Sequence, residues 1–184
     1  MIDEEQLKFL ENIALSNEDL FNLLDGKNNT VLYPDLHKYK SIDEVLGPYG
    51  MCTLLVESKK NYGHWVAVWK LNKDTVSFFN SYGGLNNGWP DDTLKYVPEE
   101  FAKINFEDFP YLSELLLKSP YKMTYNEYKF QKLCPDVKTC GRHVVVRLFC
   151  RDLNDKEYYD YIQHYEKMLG CDADEFVTLM TSDF

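Results

Sequence analysis

Between residues 51 and 81 the chain carries three successive runs rich in β-branched and aromatic residues: MCTLLVES, HWVAVWKL and TVSFFNS. Such residues suit a pleated, buried surface better than a helix. Asn72, Lys73 and Asp74 join the last two runs, which predicts a hairpin. Helix signals lie on both sides of this block. Residues 3–24 read as two helices, EEQLKFLENIAL and SNEDLFNLL, with Ser16 as N-cap of the second. Gly26, Asn28 and Asn29 break the chain, and TVLYPDL is expected to run extended as far as Pro34 limits it. Ser41-Ile42-Asp43-Glu44 is a capping-box pattern opening a short helix that stops at Gly47-Pro48. A loop containing Gly83, Gly84, Asn86, Asn87, Gly88 and Pro90 follows the strands. DFPYLSELLLKSP is then expected to be a helix, and MTYNEYKFQKL a strand. Thr139-Cys140-Gly141 opens a helix through VVVRLFCRDL, with Val144, Val145, Leu148 and Phe149 as its buried stripe. DKEYYDYIQHYEKML is a last long helix with an acidic tail after it. Strands flanked by helices predict an α+β domain with a central mixed β-sheet.

The 184 residues suit one domain, 1–184, with a helical N-terminal region (1–40), a core (41–150) and a helical C-terminal region (151–184). A chain with 45% hydrophobic and 15% aromatic residues buries a core and is not disordered. No apolar run is long enough for a membrane span, and the acidic start lacks the basic n-region of a secretory signal. The net charge of −10 opposes nucleic-acid binding, which needs clustered cations. The five cysteines are scattered, without a CxxC or a zinc-finger spacing, so neither a metal nor another cofactor is expected. An odd number of cysteines in a chain this long points to a reducing, intracellular setting.

Cys140 is the most informative cysteine. Thr139 is a plausible N-cap, and a thiol in the first helical turn meets unpaired N–H groups and the positive end of the helix dipole. That placement can lower a thiol pKa from about 8.5 into the range of about 3.5–7.5. Gly141 would leave room for a substrate carbonyl. Taken alone, Cys140 reads as a small buried hydrophobe, as most free cysteines are. Cys52 and Cys150 lie in apolar surroundings and read as core; Cys134 and Cys171 have no local activating feature.

A cysteine nucleophile needs an imidazole base, and the base needs an orienting partner. His64 stands where a strand leaves a turn, a rigid yet accessible place. His143 is three residues past Cys140 on the same helix and competes for the role, whereas His37 and His164 read as surface. Asn80 ends the third strand. Residues 64 and 80 are equidistant from 72, so a hairpin centred there sets them opposite each other. The Asn80 amide oxygen could then accept the imidazole N–H and fix its tautomer. Asp91 and Asp92 are alternative acids. Gln131 could donate to a developing oxyanion together with the Cys140 backbone N–H. Trp65 could shield the imidazole or belong to the core.

The ordered fragments SIDEVLGPYG, NYGHWVAVW, VSFFNSYGG, YKFQKL and KTCGRHVVVRLF span residues 41–149. Together they resemble the adenovirus-type maturation cysteine proteases, relatives of the SUMO-deconjugating proteases, and most of all the capsid-maturation proteases of virophages and Polinton-like viruses. The resemblance implies a papain-like, adenain-like fold. It also implies His64 as base, Asn80 in the position where many relatives carry Asp or Glu, Gln131 in the oxyanion hole and Cys140 as nucleophile.

The activity so implied is cleavage of peptide bonds through a thioester acyl-enzyme. The expected substrates are capsid or other viral structural precursors, cut after small residues such as glycine. A monomer is expected, in the host cytoplasm or viral factory and inside the virion. The adenoviral enzyme is stimulated by DNA and a peptide; the acidic charge here opposes the first, and no motif marks the second. Two rival readings are an isopeptidase acting on ubiquitin-like modifiers of host proteins and a catalytically silent binding module.

Overall fold

Strands that are apolar at nearly every position need a sheet covered on both faces. The computed structural model describes residues 3–84, 90–105 and 109–182. Asn86, Asn87 and Gly88 of the expected loop lie outside these residues, as do the side chains of Asp91 and Asp92. The N-terminal helices are α1 (Glu4–Glu11) and α2 (Asn17–Leu23), with capping boxes at Asp3 and Ser16. Strand β1 (Asn29–Leu32) follows, then a 3-10 turn (Tyr33–Lys38) that contains Pro34, then α3 (Ile42–Leu46). The Ser41 side chain accepts the Glu44 N–H, and Gly47 ends α3 with φ 63°. That positive φ suits glycine.

The central strands are β2 (Met51–Lys59), β3 (Tyr62–Asn72) and β4 (Thr75–Phe79). After a 3-10 segment (Pro90–Tyr96) come α4 (Glu99–Asn105), α5 (Tyr111–Leu117) and β5 (Lys122–Tyr125). The chain closes with α6 (Cys140–Phe149), α7 (Asp155–Leu169) and α8 (Ala173–Met180). The sheet order is β1-β2-β3-β4-β5. Its two outer pairs are parallel and its two inner pairs antiparallel, so the sheet is mixed.

Trp65, Ala67 and Trp69 of β3 pack with Leu20, Val144, Val145, Leu148, Tyr158 and Phe176 from the helices. Val66 and Val68 join Val76, Phe78, Leu36, Val45 and Leu112 in a second core. The alternation along β3 therefore serves two apolar layers. Arg147 sits buried in the first core. Its guanidinium carbon lies 4.5 Å from the Trp69 ring centroid and 4.6 Å from that of Tyr158. It donates to the Cys150 and Leu153 carbonyls at 2.8 and 3.0 Å, which ties the chain leaving α6 back onto the helix.

Four expectations are corrected. The ladder pairs Ala67 with Phe79 and Val68 with Phe78; continued, it would set Tyr82, not Asn80, opposite His64. An irregularity between Lys70 and Asn72 moves the hairpin's centre. The strand expected over MTYNEYKFQKL is only Lys122–Tyr125, and Gln131 lies in irregular chain beyond it. Phe149 is exposed rather than part of a buried stripe. From Cys140 to Leu148 every residue of α6 is buried, because helices and sheet surround it. The acidic tail is α8, opened by a capping box between Asp172 and Glu175.

Candidate active site

His64 is the third residue of β3, directly after Gly63. A Cβ at residue 63 would lie 2.0 Å from the Val56 carbonyl oxygen, so the hairpin's close approach demands glycine there. The His64 ring is buried. Its Nε2 meets Asn80 Oδ1 at 2.8 Å, and its face stacks on Tyr82 with centroids 4.4 Å apart. The backbone N–H of Tyr82 also donates to Asn80 Oδ1, at 3.0 Å. Two donors on one oxygen fix the amide's orientation, and the imidazole proton resides on Nε2.

Asn80 reaches this place although the ladder has ended. Asn126 accepts its backbone N–H at 2.9 Å and donates to its carbonyl at 2.7 Å. Asn126 also donates to the Tyr128 carbonyl at 3.0 Å, which ties the chain leaving β5 to the end of β4.

Gln131 is held by Ser81. The Gln131 backbone N–H donates to the Ser81 carbonyl at 2.9 Å, and the Ser81 hydroxyl donates to Gln131 Oε1 at 2.7 Å. With Oε1 occupied, the amide's donor end is turned away from Ser81; its Nε2 lies 3.4 Å from the Val137 carbonyl.

Cys140 is the first residue of α6. Thr139 does not cap that helix with its side chain; its hydroxyl donates to Asp174. Gly141 does not leave room for substrate either. A Cβ there would stand 3.1 Å from Leu15 Cβ and 3.2 Å from carbons of Leu20 and Trp65, so the glycine serves core packing. Trp65 is core too, its Nε1 donating to the Leu15 carbonyl at 3.0 Å.

His64, Gln131 and Cys140 line one groove of about 460 Å³, with Tyr82, Cys134 and Ala14 among its other walls. A second hollow of about 540 Å³ shares Ala14, Tyr62 and Gly63 with it and is backed by Leu15, Leu32, Leu55 and Trp65. His143 is not in this groove lining. It is fully buried, with Nε2 donating to Asp174 Oδ1 at 3.0 Å.

The electrostatics reverse the expected thiolate. Burial pushes the Cys140 thiol up, as does the charge of Asp174. The N–H groups of Trp65, Gly141 and Cys140 itself pull it down, but by less. Burial pushes His64 down to about 4; the bond to Asn80 opposes this and neighbouring His143 adds to it. A neutral thiol and a neutral imidazole therefore share the groove at pH 7. The helix terminus acts in the expected direction, and burial outweighs it.

No protein-family model matches the chain. A protein of Sputnik virophage, "Uncharacterized protein V9", is 48% identical over 177 residues, which cover 96% of this chain and 99% of that protein. The chain belongs to the V9 family of virophage proteins.

In this V9 family member, Asn126, Ser81, Tyr82 and Asp174 support the site without having been singled out in the sequence. The signal for Asp174 was present: Asp172-Ala173-Asp174-Glu175 is a helix start, which would have turned an apparent tail into a packed element. Asn126 and Ser81 act through contacts 46 and 50 residues away, which no local pattern encodes. Among the described residues no group of three or more His, Cys, Asp or Glu could hold a metal, and no helix is long and apolar enough to cross a membrane.

Proposed function

We propose that this chain is a cysteine endopeptidase with a papain-like, adenain-like fold, which processes viral capsid or other structural precursors. The observation that carries the proposal is the meeting of His64, Gln131 and Cys140 around one groove, with His64 anchored on Asn80. These four residues come from the sheet, from irregular chain and from a helix start, and packing alone does not call for their convergence.

In the proposed reaction Cys140 Sγ attacks the scissile carbonyl while its proton passes to His64 Nδ1, the ring nitrogen opposite the one committed to Asn80. The tetrahedral oxyanion takes hydrogen bonds from Gln131 Nε2 and the Cys140 backbone N–H. His64 returns the proton to the leaving amine as the C–N bond breaks, leaving a thioester on Cys140. Water, losing a proton to His64, then attacks the thioester; the acid departs and Sγ recovers its proton. Because the resting pair is neutral, proton transfer accompanies attack rather than preceding it. An extended polypeptide running from the second hollow into the first would pass Ala14, Tyr62 and Gly63, which line both. The shared virophage ancestry agrees with a viral precursor as substrate.

The test is cleavage of the virophage capsid precursor by the purified chain. The parent is expected to cut it and Cys140→Ala to leave it whole. Full activity in Cys140→Ala would reject the assignment. Labelling of Cys140 by a ubiquitin-like-modifier tail probe, with no precursor cleavage, would replace it by an isopeptidase.

A further inference from the structure

Beneath the groove, a buried carboxylate collects three donors from the parts of the chain that hold the site. The Thr139 hydroxyl and His143 Nε2 donate to Asp174 Oδ1, the latter at 3.0 Å. The Lys132 backbone N–H donates to Asp174 Oδ2 at 3.0 Å. Thr139 immediately precedes Cys140, and Lys132 immediately follows Gln131. Asp174 is itself 1% exposed and sits in the first turn of α8, where helix N–H groups favour negative charge. One side chain thus fastens the segment of the oxyanion donor to the start of the nucleophile's helix.

We infer that Asp174 is a positioning residue that sets the distance between the Gln131 amide and the Cys140 thiol. The inference rests on the hydrolase reading above and adds a residue to it. The chemistry requires a carboxylate rather than an amide. All three contacts are donors, so the residue must present acceptors at both ends. Asparagine can satisfy Thr139 and His143 through its oxygen only by turning its NH₂ toward the Lys132 N–H. Two donors then face each other in a dry site, and the Gln131–Lys132 segment must shift to relieve them. A misplacement near 1 Å in such a site costs on the order of 10²-fold in rate.

The test compares kcat and KM for a precursor-derived peptide in the parent, Asp174→Asn, Gln131→Ala and the double variant, with Cys140→Ala alongside. Asp174→Asn is expected to lower kcat by roughly 10–100-fold and to change KM by less than about threefold. In the Gln131→Ala background the same substitution is expected to cost no more than about threefold, because the donor it positions is gone. If Asp174→Asn does not fold, Thr139→Val decides: it removes one donor and is expected to lower kcat at least threefold at unchanged KM. Losses that multiply in full in the double variant overturn the inference, as does an unchanged kcat in a folded Asp174→Asn or in Thr139→Val. Retained cleavage by Cys140→Ala instead overturns the hydrolase reading.

Discussion

Replacing Asn80 by aspartate puts a carboxylate 2.8 Å from His64 Nε2 without removing an acceptor from the Tyr82 N–H. Two unit charges whose centres lie about 4 Å apart gain about 4 kcal/mol at an effective dielectric near 20. That gain corresponds to about three pKa units on the imidazole. Burying the new carboxylate at a position only 2% exposed takes part of this back. His64, which burial holds at about 4, is then expected to titrate near 6. Stability follows by linkage. In the parent, the depressed value means that stability is fully present above the ordinary histidine value of 6.5 and falls as pH drops toward about 4. The full loss is of order 3 kcal/mol. In Asn80→Asp most of that loss disappears. NMR titration of the His64 ring measures the first effect, and urea midpoints at pH 7, 5.5 and 4.5 measure the second. Iodoacetamide alkylation reports the chemistry: Cys140 is expected to react slowly at pH 6 in the parent and at least severalfold faster in Asn80→Asp. A His64 titration unmoved from about 4, or a parent thiol already fast at pH 6, would refute the reasoning.

Three further outcomes are expected. Asn126→Ala leaves the buried Asn80 N–H without an acceptor and its carbonyl with only the Gly83 N–H; a stability loss of about 1–3 kcal/mol in chemical denaturation and a kcat at least tenfold lower should follow, and wild-type values for both would contradict the anchoring role. Glu11 is buried among the charges of Asp172, Asp174 and Glu175, and burial first, then those charges, raise its carboxyl above 4.5. Its ionised form therefore costs stability at neutral pH and not below about pH 4, so Glu11→Gln should raise Tm by roughly 2 °C at pH 7 and leave it unchanged at pH 4. Arg147→Ala strips the Trp69 and Tyr158 faces of their cation and takes a donor from the Cys150 and Leu153 carbonyls, the first of which keeps the Leu153 N–H; a loss of about 3 kcal/mol or more in the urea midpoint is expected, and a loss under about 1 kcal/mol would contradict it.

The parts of the fold visible in the sequence are those set by short-range physics. Ser16 and Ser41 each cap a helix from one side chain, and the apolar runs of β2 and β3 state that both faces of the sheet are covered. The meeting of His64 and Asn80 was visible through an approximate register. The true register differs by two residues, and the turn after Phe79 brings the pair together. What was not visible depends on tertiary burial. Thr139 looked like an N-cap because its competing partner, Asp174, lies 35 residues on. Gly141 looked like space for a ligand because Leu15 and Leu20 are far away in sequence and adjacent in space. The protonation of the Cys140–His64 pair turns on desolvation, which no spacing rule reports.

The decisive measurement is mass-spectrometric peptide mapping after acid-quenching the purified chain in the act of cleaving its precursor. A thioester-linked substrate fragment on Cys140, absent when His64 is replaced by alanine, is the expected result. Accumulating cleavage product with Cys140 unmodified throughout, or the same acyl group carried by Cys134, would contradict it.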